Sequence, residues 1–167
     1  MIEKIKSRIL KMDTSEEISL YDLEPNFEFD IANGNYIDYL DKYEDRVNEI
    51  FAEYIKNNGI VTLQVLKQFE EYNFNIDTKI EELNNLTPLE WYASKGDTEN
   101  VRNILILGAD PNVGNPSQEA ILNYNNNLSK CDLRKLTIIL KTLSQYGNEN
   151  EVKNTINQMI SIYKNLY

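Results

Sequence analysis

The chain has 167 residues, 41% of them hydrophobic and 26% charged, a composition that suits one folded domain and excludes a disordered or fibrous protein. Its 17 basic and 27 acidic residues give a net charge of −10, which argues against nucleic acid as a partner. Because it contains no histidine and only one cysteine, Cys131, the composition excludes imidazole acid–base catalysis, Ser-His and Cys-His nucleophile pairs, histidine-containing zinc sites and internal disulfides.

The first ten residues alternate charged and apolar side chains. Ile2, Ile5, Ile9 and Leu10 share one side of a helix, which predicts a short amphipathic helix. The stretch lacks the continuous apolar core of a signal peptide, and no apolar run in the chain has the length of a membrane span. We therefore expect a soluble protein of the cytoplasm that does not contact a membrane.

Most of the remaining chain is predicted to be helical. Residues 13–33, which include Pro25, show poor periodicity and are expected to form a loop-rich lead-in. Beyond them, apolar residues recur at steps of three and four, which predicts helices over 36–40, 45–58, 61–73, 88–96, 98–107, 120–124, 133–146 and 152–163. Residues 74–85 are expected to form a connecting loop or hairpin. A second loop is expected around three residues that oppose helix formation, Pro111, Gly114 and Pro116.

The segment from Thr87 to Asn112 has the most specific pattern, TPLEWYASKGDTENVRNILILGADPN. Thr87 and Pro88 are suited to begin a helix as its N-cap and first-turn residue, and Gly108 is suited to end one in the left-handed conformation. In residue order and spacing, the segment resembles a single ankyrin repeat and matches that family's pattern without a gap. The resemblance implies two helices followed by a loop.

Ankyrin repeats recur at about 33 residues and need stacked neighbours, because one helix pair cannot cover its own apolar face. Residues 65–77 resemble the end of an upstream repeat with Asn73 in place of the glycine, and residues 133–147 resemble a downstream one after an insertion around 123–130. Residues 31–40 are faintly similar to a degenerate opening unit. The resemblance implies one all-α domain over 1–167, an ankyrin-type helical solenoid of about three to four irregular repeats over 30–147, with an N-terminal helix and acidic lead-in over 1–29 and a C-terminal capping helix over 148–167.

The sequence also departs from the family's pattern. Glu90 stands where the family usually has His, and Trp91 and Tyr92 are bulkier than the common residues, so irregular packing between neighbours is expected. Carried over residue by residue, the positions that the family usually presents to partners are Leu83, Asn84, Leu86, Ser94, Lys95 and Gly114.

Acidic residues are concentrated in one part of the chain. Residues 13–53 contain 13 acids and 2 bases, whereas the rest of the chain has a net charge of +1. Such a segment is either a solvated region that maintains solubility or a docking surface for a basic protein, because a field of one sign speeds encounter with an oppositely charged partner. The second interpretation nominates Asp38, Asp41, Glu44 and Asp45, with Tyr39 or Tyr43 as an exposed aromatic neighbour.

Adjacent carboxylates such as Glu44 with Asp45, or Glu81 with Glu82, are the main acid–base candidates. Neighbouring helical positions point about 100° apart, so each pair is better explained as a solvated face. No phosphate loop, calcium loop or metal-ligand cluster occurs in the sequence, and we expect no cofactor or metal.

The resemblance therefore implies a monomeric, non-catalytic protein–protein interaction module. Its most concrete form is an acidic immunity protein that binds and blocks a basic bacterial toxin, for example a nuclease. The alternatives are an ankyrin-type effector or viral adaptor that binds a host protein and, in another class, a carboxylate-based hydrolase within residues 13–53.

Overall fold

The computed structural model describes residues 19–58, 60–127 and 130–166. The amphipathic helix expected at 2–10 and the first part of the lead-in lie outside the described residues. The described chain is all-α, as predicted, and within it the only strand-like pairing is a single antiparallel bridge between Ile80 and Leu86. Its helices are α1 (Leu20–Leu23), α2 (Phe27–Ala32), α3 (Tyr36–Lys42), α4 (Val47–Asn58), α5 (Leu63–Glu70), α6 (Pro88–Ser94), α7 (Thr98–Ile106), α8 (Pro116–Asn127), α9 (Lys130–Gln145) and α10 (Glu149–Leu166), with 3₁₀ turns at Glu44–Arg46 and Glu81–Leu83.

The helices bury the residues that recur at steps of three and four. On α9, for example, the buried face consists of Leu136, Ile139, Leu140 and Leu143. In the N-terminal half the core is aromatic: the ring of Phe69 meets Phe51 edge-on at 5.0 Å and stacks on Tyr36 at 5.3 Å.

The main helix contacts lie around α4 and among α6 to α10. α2 and α3 both pack on α4; α6 packs on α7 and α8; and α9 packs on α7, α8 and α10. α8 also contacts α10, so contacts run continuously from α6 to α10.

Five of the described helices end in the same way: α2 and α6, which are followed by Gly34 and Gly96, and α5, α7 and α9. Asn73, Gly108 and Gly147 all have positive φ, as predicted for these positions. In each case the N–H of the next residue donates to a carbonyl five residues earlier, in the pairs Phe74 to Phe69 (3.2 Å), Ala109 to Ile104 (3.2 Å) and Asn148 to Leu143 (3.1 Å). The same bond joins the N–H of Asn35 to Asp30 (2.9 Å) after α2 and the N–H of Asp97 to Tyr92 (3.1 Å) after α6, so this closure is not confined to α5, α7 and α9.

Three local predictions are corrected. Residues 19–33 form α1 and α2 rather than an irregular lead-in, because Ser19 caps α1 and Pro25 separates the two short helices. α8 begins at Pro116 and not near residue 120, because proline is tolerated in a first turn, where no N–H is needed. On α3, the sequence pattern predicts that Tyr36, Ile37 and Leu40 form the buried face; Tyr36 and Leu40 are buried, but Ile37 is 43% exposed.

Candidate functional site

The four nominated carboxylates lie on the surface. Asp38 and Asp41 are exposed on α3, and Glu44 and Asp45 are exposed on the 3₁₀ turn that follows it. Since α3 turns its apolar face toward α4, its acidic residues point away from the core.

Tyr72, which follows α5, joins this acidic surface from another part of the chain. Its hydroxyl donates a hydrogen bond to Asp41 Oδ1. That bond, with smaller effects of burial and of the charges of Asp41, Glu44 and Glu71, raises the pKa of Tyr72 to about 12. Glu71, the exposed residue just before Tyr72, therefore lies near this surface, although the sequence interpretation missed it.

Tyrosines are the main donors to the carboxylates of this region. Besides Tyr72, three tyrosine hydroxyls donate to acidic side chains, in the pairs Tyr21 with Glu53, Tyr39 with Asp30 and Tyr43 with Glu24. A phenol is a neutral donor, so it orients a carboxylate without cancelling its charge. The bonds to Asp30 and Asp41 thus leave the charges of these carboxylates in place, whereas Glu24 and Glu53 also form ion pairs with Lys42 and Lys56.

Tyr39 is not the exposed aromatic residue that the sequence suggested. It is 8% exposed and meets the ring of Phe27 at 5.1 Å. Its hydroxyl donates to Asp30 Oδ2 at 2.8 Å. Burial and, after it, this bond raise the pKa of Tyr39 to about 12. Tyr39 therefore supports Asp30 from the core and offers no ring to a partner, whereas Tyr43 is half-buried.

A cleft of about 500 Å³ opens beside the start of α4. It lies between that helix and the loop before α6. Its lining consists of Ser19, Asp45, Arg46, Asn48, Glu49, Lys79, Ile80, Glu81, Glu82 and Asn85. Four carboxylates thus face two cations around a space that fits extended side chains or a small ligand.

Glu49 forms the wall of the cleft and also attaches α1 to α4. Its Oε1 accepts hydrogen bonds from Ser19 Oγ at 2.8 Å and from the N–H of Leu20 at 2.7 Å, and its Oε2 lies 3.3 Å from Arg46. With 7% exposure, its role is largely structural. The sequence analysis missed this role, because Ser19 and Leu20 lie about thirty residues away from Glu49.

A smaller depression of about 210 Å³ lies on the α2–α3 side of the acidic surface. Its lining consists of Glu24, Asp30, Asp38, Tyr39 and Lys42. Asp38 and Asp45 therefore border two different recesses rather than one.

The positions carried over from the repeat pattern differ in their exposure to solvent. Asn84 is exposed with a φ of +61°, next to Asn85 in the cleft lining, whereas Leu86 is half-buried. Leu83 is fully buried, which corrects the expectation that it is exposed, because it packs beneath this turn in the main core.

Ser94 and Lys95 lie at the end of α6 and do not line the cleft. The hydroxyl of Ser94 donates to the carbonyl of Trp91 at 2.7 Å, and its own carbonyl accepts from Asn123 Nδ2 at 2.7 Å. The Lys95 ammonium lies 5.4 Å from the centroid of the Trp91 ring. Gly114 is half-buried beside Glu90.

Comparisons of the chain with protein-family models, with curated proteins and with solved structures found no match. Across residues 19–58, 60–127 and 130–166, no helix carries an apolar stretch long enough to cross a membrane. Nor, in that part of the chain, do three or more Asp, Glu or Cys side chains form a group that could hold a metal ion.

Proposed function

We propose that this chain is a non-catalytic protein-binding module that recognises a basic protein through its acidic surface. That surface comprises Asp38, Asp41, Glu44, Asp45 and Glu71. The observation that carries the proposal is its organisation: Tyr72 orients Asp41 through a neutral hydrogen bond, so the surface stays ordered and charged. Preorganised charge of one sign favours rapid encounter with, and selection of, an oppositely charged partner.

An ankyrin-type stack is the proposed scaffold. Its support is the helix pair α6 and α7 followed by a loop, and the contacts of α6 with α8 and of α7 with α9. Successive loops are also linked, since Asp77 Oδ1 accepts from the N–H of Asp110 at 2.9 Å, 33 residues along the chain.

The biological role that fits best is inhibition. A monomeric acidic protein of the cytoplasm that covers the basic surface of a toxin, such as a nuclease, would act as an immunity protein. The alternative within the binding class is an effector or adaptor directed at a host protein. A secretion assay separates the two roles, because an immunity protein stays in the cell that makes it.

The test compares two triple variants as bait in affinity capture with mass spectrometry. Asp38→Asn/Asp41→Asn/Asp45→Asn removes three charges from the acidic surface, and Glu70→Gln/Glu99→Gln/Glu149→Gln removes three exposed charges elsewhere. We expect the partner to be basic, to be lost by the first variant only and to dissociate as salt is raised. An acidic partner, or binding that is indifferent to salt, would refute the proposal.

A carboxylate-based hydrolase is the second candidate, because the cleft gathers Asp45, Glu49, Glu81 and Glu82 around space for a substrate. Glycosidase activity that is abolished by Glu81→Gln or Glu82→Gln would favour it. Absence of such activity across a panel of glycosides would leave the binding module as the function.

A further inference from the structure

Phe29 on α2 is the most exposed large apolar side chain in the described part of the chain, at 71%. α2 packs on α4 and buries Phe27 and Ile31, so Phe29 lies on the opposite side of the helix. Aromatic side chains are enriched where proteins contact each other, and an exposed apolar group rimmed by polar residues marks such a contact surface.

Two further exposed apolar side chains lie close to Phe29's part of the surface. Leu23 on α1 is 45% exposed, and Ile37 on α3 is 43% exposed. Each of the three apolar residues immediately precedes a residue that lines the depression of about 210 Å³. These lining residues are Glu24, Asp30 and Asp38. Since neighbouring Cα atoms are about 3.8 Å apart, three helices each bring an exposed apolar residue to the edge of one depression.

The depression itself is negatively charged. In the part of the chain that the structure describes, its one cation is Lys42, which pairs with Glu24. Asp30, which accepts the hydrogen bond from Tyr39, and the exposed Asp38 have no ion pair among the described residues. The volume is below the roughly 300 Å³ at which small-molecule pockets begin, so it suits one long basic side chain better than a ligand.

We propose that this surface anchors an amphipathic basic segment of the partner protein. One lysine or arginine of the segment enters the depression beside Asp30 and Asp38, and apolar side chains of the same segment pack on Phe29, Leu23 and Ile37. The inference rests on the proposed function and adds the contacts that hold the partner. Exposed charges mainly set the rate of encounter, whereas an aromatic ring that becomes buried in the complex slows dissociation.

The test measures the binding of two labelled peptides by fluorescence anisotropy. One is a helical leucine–lysine peptide with its leucines on one side, and the other is an oligolysine peptide of the same charge. We expect the wild type to bind the leucine–lysine peptide about ten-fold more tightly than oligolysine. Phe29→Gln should remove most of this difference and leave the affinity for oligolysine unchanged, because glutamine suits an exposed helical position. Ile106→Gln, at a side chain that is 60% exposed on α7, is the matched control and should change neither affinity.

The variant Asp38→Asn/Asp41→Asn/Asp45→Asn separates this inference from the proposed function, and we expect it to weaken the binding of both peptides. Suppose that it weakens oligolysine binding, but the wild type binds both peptides equally or Phe29→Gln acts no more strongly than Ile106→Gln. The inference is then overturned and the proposed function stands. If the wild type binds neither peptide, or the triple variant binds both as tightly as the wild type, the proposed function and the inference fail together.

Discussion

Glu90 and Gly114 contact each other between two neighbouring helix pairs, and the Glu90 carboxylate fills the space in which a Cβ atom of residue 114 would lie. The two carboxylate oxygens accept hydrogen bonds from the N–H groups of Thr87 at 2.8 Å and Asn115 at 2.7 Å. The hydroxyl oxygen of Thr87 in turn accepts a hydrogen bond from the N–H of Glu90 at 3.2 Å. A carboxylate that is 2% exposed thus joins the first turn of α6 to the loop before α8.

This contact makes Gly114 intolerant of a side chain. Its φ of +76° already disfavours alanine, and the added methyl group would overlap Glu90. We expect Gly114→Ala to lower the free energy of unfolding by about 2–4 kcal/mol, measured by urea denaturation. Gly34 has a similar φ of +86° but open space around its Cβ position, so Gly34→Ala should cost only about 1–2 kcal/mol. Equal losses in the two variants would contradict the contact with Glu90.

The sequence predicts the parts of this fold that depend on local signals. Thr87 and Pro88 begin α6, and Gly108 follows α7 in the left-handed conformation, because caps and helix breakers act within one turn. The short helices α1 and α2 escaped prediction since four and six residues carry too little periodicity.

The exposed acidic residues of the candidate site could be predicted from the sequence, but the residues that contact them could not. The exposure of Asp38 and Asp41 follows from the apolar face of α3, and the burial of Tyr39 could have been found from its spacing to Tyr36 and Leu40. The bond between Tyr72 and Asp41 and the cleft around Asp45 join segments about thirty residues or more apart, which one sequence does not encode.

Glu119 on α8 should destabilise the protein at neutral pH. Burial raises the pKa of its carboxyl group, the charge of Glu90 raises it further, and Lys79 opposes both. A raised pKa means that the folded state holds the proton more tightly than the unfolded state, so stability falls as the pH rises through this range. We expect Glu119→Gln to raise the urea midpoint at pH 7. This gain should disappear below about pH 4, where Glu119 of the wild type is protonated and therefore as neutral as the glutamine of the variant. A gain of the same size at both pH values would contradict the assignment, and Glu99→Gln controls for removal of an exposed charge.

Tyr39 should make the fold sensitive to alkali. Its pKa of about 12 in the folded protein exceeds the value of about 10 expected in the unfolded chain. Its contribution is fully present below about pH 10 and is lost as the pH rises toward 12. Tyr39→Phe should therefore show a shallower loss of stability over this interval, measured as urea midpoints. Tyr146→Phe, at a side chain that is 42% exposed, is the matched control. Parallel losses in wild type and Tyr39→Phe would rule out the buried phenol as the cause.

Leu143 tests whether α6 to α10 unfold as one unit. This side chain is fully buried on α9, whereas Leu133 on the same helix is 48% exposed. Leu143→Ala should lower the free energy of unfolding by about 2–5 kcal/mol and Leu133→Ala by less than about 1 kcal/mol.

The fluorescence of Trp91, the only tryptophan, follows the unfolding of α6, which contacts α7 and α8, and these two helices contact α9. In a stack coupled through its neighbours, Leu143→Ala should lower the midpoints of Trp91 fluorescence and of helical circular dichroism together. A Trp91 transition that keeps the wild-type midpoint while the dichroism shifts would show that α9 unfolds separately, and would contradict a continuous stack.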